Sequence, residues 1–205
     1  MPRPAPLNRR EDILAAAKEE FAARGFAAAR MEDIARRLGI SKAALYLHFG
    51  TKESLFRAMV EMLLAEALPQ VLPPNPTELS AAQTLKLFIP AAMRRIAGGE
   101  IAFVPRLIIG EGSRFPELAR FYHDKVVSHM LGLIEQLVRR GIERGEFRAV
   151  DAHHVSRSIA GGVIIAGLWR TVFEPVGAEP LDLEAMAAAH LDLILGGLSV
   201  KENGG

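Results

Sequence analysis

The stretch from Met31 to Phe49, MEDIARRLGISKAALYLHF, decides how the chain is read. Met31, Ile34, Ala35 and Leu38 recur at helical spacing, and Gly39 closes the stripe. Ser41 then offers an N-cap to a second short helix that carries Leu45, Tyr46 and Phe49. Two short helices joined by a Gly-containing turn have the anatomy of a helix-turn-helix, with Ala35 where the helices must touch and Ile40 and Leu45 toward the core. The second helix of such a pair must offer a small or polar face to the major groove. Here that face is Lys42, Ala43, Ala44, Tyr46, Leu47 and His48.

Outward from this motif every segment predicts helix. Ile13, Leu14, Ala17 and Phe21 mark a first amphipathic helix over residues 9–24, with Gly25 as its stop. Gly50 breaks the recognition helix, and Thr51 caps a fourth helix that reaches Leu68, where the stretch Pro69 to Pro76 should end it. Further helices are predicted from Thr77 to Ala97, with a possible kink at Pro90, and from Glu100 to Gly112, Pro116 to Arg144, Asp151 to Phe173 and Asp182 to Leu198. No stretch alternates as a strand would, and no internal repeat is present. The predicted fold is all-α, about nine helices, with a DNA-binding domain over 1–50 and a larger helical domain over 51–205.

Composition narrows the functional classes. Half of the 205 residues are apolar and a quarter charged, which fits a packed globular chain. Cysteine is absent, so thiolate metal sites, disulfides and thiol nucleophiles are excluded, and a reducing cytoplasm is the expected setting. The longest uninterrupted apolar or Gly run, Ile159 to Trp169, falls short of the roughly 20 residues a membrane span needs, so no membrane partner is expected. Residues 1–57 hold 11 Lys/Arg against 7 Asp/Glu, a charge of +4, while the remainder carries −3. A basic head on a near-neutral apolar body suits a polyanion-binding module joined to an oligomerising one.

At this point the chain resembles the TetR family of bacterial regulators. The residues that carry the resemblance are Gly25-Phe26, Asp33-Ile34-Ala35, Gly39-Ile40-Ser41-Lys42, Leu45-Tyr46, Phe49, Lys52-Glu53 and Leu55-Phe56, in the family's order and spacing over residues 9–57. Ala29 and Arg30 depart from the Ser or Thr that often opens the second helix, and Ala43 replaces a frequent Gly or Pro. Arg30 is expected as a substitute phosphate contact, because a guanidinium matches phosphate oxygens. The resemblance implies a homodimer on a palindromic double-stranded operator, with Ser41, Lys42 and Lys52 adding contacts, and release by a small apolar or aromatic effector. For Lys42 and Tyr46 the residues leave base-edge and phosphate contact open.

In the C-terminal part, Phe88, Met93, Phe103, Leu107, Phe121, Met130, Ile165 and Trp169 form a pool of bulky apolar residues, expected either to line the effector cavity or to fill the core. The last two helices are expected to form the dimer interface through Gly162, Ile165, Leu183, Ala187, His190, Leu191, Ile194 and Leu198. Glycines at 161, 162 and 167 would allow a close crossing there. No catalytic residue, metal or cofactor is expected: His153 and His154 diverge on a helix, His123 and His129 do not share a face, and Glu100, Glu111 and Glu117 have no fixed productive separation. A DNA-binding dimer without small-molecule control and an all-helical enzyme with a DNA-binding head remain the alternatives.

Overall fold

The computed structural model describes residues 9–71, 78–99 and 101–200. Among these the chain is helical, in the order α1 (Arg9–Ala28), α2 (Met31–Arg37), α3 (Lys42–Phe49), α4 (Lys52–Val71), α5 (Ala81–Gly98), α6 (Phe103–Glu111), α7 (Pro116–Tyr122), α8 (Ser128–Glu143), α9 (Ala152–Leu168) and α10 (Leu183–Leu198). A π-helical turn, His123–Val127, joins α7 to α8 without a break, so these labels make nine rods. No strand forms among the described residues; one isolated bridge pairs Phe147 with Ser199.

The helices start where capping chemistry predicts. Ser41, Asp151 and Asp182 each accept backbone N–H bonds in the first turn of α3, α9 and α10. Ser80 and Gln83 form a reciprocal capping box on α5, and the Glu146 carboxylate accepts from the next amides, Ala81 and Ala82, at 2.6 and 3.2 Å. Helix α5 therefore begins after Ser80, and the start predicted at Thr77 lies outside the described residues, as does Glu100. Helix α5 runs on through Pro90 to Gly98. Helix α4 continues past Leu68 to Val71, taking Pro69 into its last turn. A proline so close to a C-terminus removes a single backbone bond, and burial of Ala67 and Val71 favours the extra turn.

The chain divides into two compact units, residues 1–65 with 107–121, and 66–106 with 122–205. The first is built on Phe21, Phe26 and Phe56, all fully buried and mutually in contact, with ring centroids 5.2 to 5.8 Å apart. Burying each phenyl ring contributes about 1.5–3 kcal/mol, so this triad is a large share of the unit's cohesion. Phe115 from the 107–121 segment adds an edge-on contact to Phe26 at 4.8 Å. In the second unit α5, α8, α9 and α10 enclose Leu85, Ile89, Met93, Val138 and Ile159.

That second core absorbs most of the expected dimer stripe. Ala187 and Leu198 are buried in it, and Leu191 and Ile194 pack against it. Leu183 is half-buried at the start of the same helix. His190 brings its imidazole Nε2 to 3.1 Å from the Ile159 carbonyl and lies directly over Gly162. Gly167 receives Ile96 of α5. The close crossings these glycines permit are thus made within the chain, with Gly161 alone of the three open on its outer side. The outward face of the two helices is a different one: Gly161, Ile165 and Val172 on one side, Ala185, Ala189 and Leu193 on the other. Ile165 is 45% exposed and Leu193 74%.

The run Ala152–Val176 is long and apolar enough, with a mean hydropathy of 1.3, to cross a membrane by length and composition alone. An uninterrupted-run count missed this because Ser158 and Arg170 end the apolar stretch. One face of the helix packs into the core of the second unit, and the other is the outward apolar face just described.

Candidate nucleic-acid interface

Helices α2 and α3 meet through a turn set by Gly39, whose φ of 63° belongs to the left-handed region that favours glycine. The Gly39 and Ile40 amides donate back to the Arg36 and Ala35 carbonyls at 3.2 and 3.1 Å, closing α2. Ser41 then starts α3, its hydroxyl accepting from the Ala44 amide at 3.1 Å. Leu45 and Phe49 turn into the core, and the remaining face points outward. Lys42, Ala43, Tyr46, Leu47 and His48 are exposed, and Ala44 is half-buried. Leu47, at 88% exposure, is an apolar side chain that lies outside this unit's core.

Lys42 is ion-paired with Glu32 across the turn, and its ammonium sits 5.5 Å from the centre of the Tyr46 ring. The pairing raises the Lys42 ammonium above its usual pKa and holds the Glu32 carboxyl below its own. Arg30 is exposed at the start of α2, in extended conformation (φ −121°, ψ 133°), and its side chain makes no cap. The missing Ser/Thr cap is offset by Glu32 and Asp33 in the first turn, where carboxylates oppose the positive helix end. Arg36 pairs with Asp33 at 2.8 Å, and Arg37 with Glu19. Arg30, Glu32, Asp33 and Arg36 line an open polar depression beside the turn.

Lys52 does not present its ammonium outward. Its Nζ donates to the carbonyls of Phe26, Ala27 and Ala29 at 2.7, 3.3 and 3.1 Å and lies 4.6 Å from the Phe26 ring centre. Burial pushes this ammonium below the ordinary lysine value, an effect opposed by the nearby Glu53 and Glu111 carboxylates. Its place is at the corner between α1 and α2, where it satisfies carbonyls that the helix leaves without amide partners. The three acceptors within reach of the ammonium are protein carbonyls.

A residue that sequence reasoning weighed only as an acid/base candidate completes the same corner. Gly25 takes φ 75°, ψ 176°, breaking α1 as predicted, and one further helical turn follows to Ala28. The Glu111 carboxylate, at the end of α6, accepts from the Phe26 and Ala27 amides at 3.0 and 2.7 Å. A Cβ at Gly25 would collide with that carboxylate.

The apolar pool of the sequence reading is not one group. Leu107 and Phe121 belong to the first unit, where Phe121 lies 5.3 Å beneath the Arg57 guanidinium. Phe88 and Met93 are packed into the second core, with Met130 against it, and Phe103 is buried. Ile165 faces outward. Trp169, half-buried in a π-helical turn (Trp169–Phe173), donates its indole N–H to the Glu179 carbonyl at 2.9 Å and lies 5.5 Å from Phe173. Among the described residues no group of three or more His, Asp or Glu side chains converges as a metal site would.

A chain that is 82% helical over its described residues, with an N-terminal helix-turn-helix and a helical C-terminal domain, defines a class of DNA-binding regulators, and the comparisons place it further. Residues 13–59 match the family model for bacterial regulatory proteins of the tetR family, and residues 83–195 match that of the AefR-like transcriptional repressor C-terminal domain. The chain belongs to the TetR family of transcriptional regulators. It is 26% identical over 196 residues to the transcriptional repressor KstR2 of Mycolicibacterium smegmatis, covering 95% of this chain and 92% of that protein. It is 28% identical to the transcriptional regulator UidR of Escherichia coli K12, covering 92% of each. Among solved structures, similar folds are those of AibR with isovaleryl coenzyme A and operator DNA (TM-score 0.70, 20% identity, 91% of this chain and 97% of that one) and FadR of Bacillus subtilis with stearoyl-CoA (0.64, 20%, 92% and 98%). A regulator from Saccharomonospora viridis in complex with choline is also similar (0.78, 21%, 94% and 98%).

Proposed function

We propose that this chain is a cytoplasmic homodimeric repressor that holds a two-fold symmetric operator through α3 and leaves it when a small molecule binds the helical body. The observation that carries this reading is the outward face of α3, fixed by the Ser41 cap and the Gly39 turn and formed by Lys42, Ala43, Tyr46, Leu47 and His48. Such a helix enters one major groove and reads only a few base pairs, so useful specificity needs a second copy one helical turn away, about 34 Å along the DNA. The outward apolar face of α9 and α10, centred on Ile165 and Leu193, supports the dimer. Arg30 and the amides opening α3 supply phosphate contacts, and Lys42 a contact at the groove.

The effector is a small molecule with an apolar part, taken up in the second unit beside Trp169. Coenzyme A thioesters in AibR and FadR, and choline in the regulator from Saccharomonospora viridis, support small-molecule control in this fold. Release requires that the effector bind the DNA-competent and incompetent conformations with different affinity. The test is selection of DNA from a random pool by the purified protein, followed by footprinting. The expected result is a dyad-symmetric site with half-sites about one turn apart. Recovery of sequences without a common motif overturns the reading.

A further inference from the structure

The charges around the turn between α2 and α3 are unevenly paired. Lys42, the first residue of α3, is ion-paired with Glu32, the second residue of α2, and Arg36 pairs with Asp33 at 2.8 Å. Arg30 lines the same open depression as Glu32, Asp33 and Arg36. Of the cations Arg30, Arg36 and Lys42, Arg30 alone has no carboxylate partner among the described residues.

The Lys42 ammonium is held from two sides. The Ser41 cap fixes the start of α3, the Tyr46 ring centre lies 5.5 Å from Nζ one turn further along, and the Glu32 carboxylate reaches the ammonium across the turn. Each charge favours the other: the pairing raises the Lys42 ammonium and lowers the Glu32 carboxyl, so both stay ionised at neutral pH. About half of each side chain remains exposed, and an ion pair so placed adds little to the stability of the fold. Its effect falls on what the ammonium can bind. A lone lysine on a DNA-facing helix is drawn to any phosphate, and that attraction is independent of sequence. A lysine already matched by a carboxylate gains little there, because one anion replaces another and the freed carboxylate then faces the polyanion. A base edge differs, since guanine N7 and O6 are uncharged acceptors in the major groove. An ammonium has three N–H donors, and the carboxylate needs only one, so Lys42 reaches such an edge without leaving Glu32.

We propose that Glu32 is a specificity-determining residue: held against Lys42, it withholds the ammonium from phosphates and reserves it for a base edge, while unpaired Arg30 serves the DNA backbone. Glu32 acts through Lys42, as its positioning residue. This deepens the function proposed above and rests on its placing of α3 against DNA.

The test uses the full chain with Glu32→Gln, Lys42→Ala and the two combined, with helical content and dimer content checked for each. Affinity for DNA selected by the wild type and for a shuffled duplex of equal composition is measured at one salt concentration, because both depend on it. Glu32→Gln is expected to raise affinity for the shuffled duplex about fivefold and for the selected DNA less than about twofold, so discrimination falls. In the Lys42→Ala background the same change should raise both alike, since only a repelling charge is then removed. An equal rise on both duplexes with Lys42 in place overturns the proposal and leaves Glu32 a general repulsive charge. So does a loss of discrimination of the same size in the Lys42→Ala background. A wild type that selects no common sequence overturns the placing of α3, and this inference with it.

Discussion

The Lys52 ammonium donates to the Phe26 carbonyl at 2.7 Å, joining the first turn of α4 to the end of α1 across 26 residues of chain. The consequence separates a structural lysine from a DNA-contacting one. Lys52→Met keeps the aliphatic stem and deletes the donors, leaving carbonyls that are partly shielded from water. Urea unfolding is expected to show a loss of about 1–2 kcal/mol, in the range for hydrogen bonds to charged groups at a partly exposed site. The slope of DNA affinity against salt should stay within experimental error of the wild type, since no phosphate contact is removed. A slope shallower by about one unit with unchanged stability would return Lys52 to the DNA.

Lys42 behaves in the opposite way. Its partner Glu32 is an exposed carboxylate beside the face proposed to meet DNA, so on that reading a phosphate contact exchanges one anion for another. Glu32→Gln releases the ammonium and removes a negative charge from the approach path. It is expected to raise affinity for non-specific DNA several-fold and steepen the salt slope. Lys42→Ala should relax sequence preference at one position in each half-site, at about 1–3 kcal/mol. Parallel losses on specific and non-specific DNA would assign Lys42 to the phosphates alone.

Local signals made the recognition helix legible. Gly39, Ser41 and the Leu45/Phe49 pair are a turn residue, a cap and a periodic apolar face, each acting within a few residues. The same holds for the Asp151 and Asp182 caps. What was not legible depended on partners distant in sequence. Lys52 reads as a basic residue beside a DNA-binding motif, and its capping role requires the fold to bring residues 26–29 to it. Glu111 carried a usable clue, an acid at the end of a helix where the dipole opposes it, but the partner amides lie more than 80 residues away. On α10 an apolar set wider than one stripe marked two faces correctly, yet nothing in the spacing says which face the chain itself covers. The packing of Ala187 and Leu198 inward and Leu193 outward settles that.

Trp169 is the sole tryptophan, and its half-buried indole is fixed by the bond to the Glu179 carbonyl in a π-helical turn. Such turns recur at functional sites because their widened backbone is easily rearranged. Isovaleryl-CoA, stearoyl-CoA, choline and a set of small aromatic acids are to be titrated while Trp169 emission and release of the selected DNA are followed together. At least one compound is expected to shift the emission and release DNA over the same concentration range. Emission changes that never coincide with release would place the switch away from Trp169.

The outward and inward faces of the last two helices give a paired test of the dimer. A two-fold interface meets itself, so one buried aspartate faces or neighbours its own copy. Ile165→Asp and Leu193→Asp alter side chains that the chain leaves exposed, and each is expected to yield a folded monomer by sedimentation, with helical content retained. Operator affinity should then fall steeply, because a single α3 contacts only one half-site. Ile194→Asp places its charge against the protomer's own core and should lower the urea midpoint instead, by the several kcal/mol that an unpaired buried charge costs. Gly162→Arg should act in the same way, since any side chain there meets the His190 ring. If Ile165→Asp and Leu193→Asp remain dimeric while Ile194→Asp is a stable monomer, the assignment of faces is inverted.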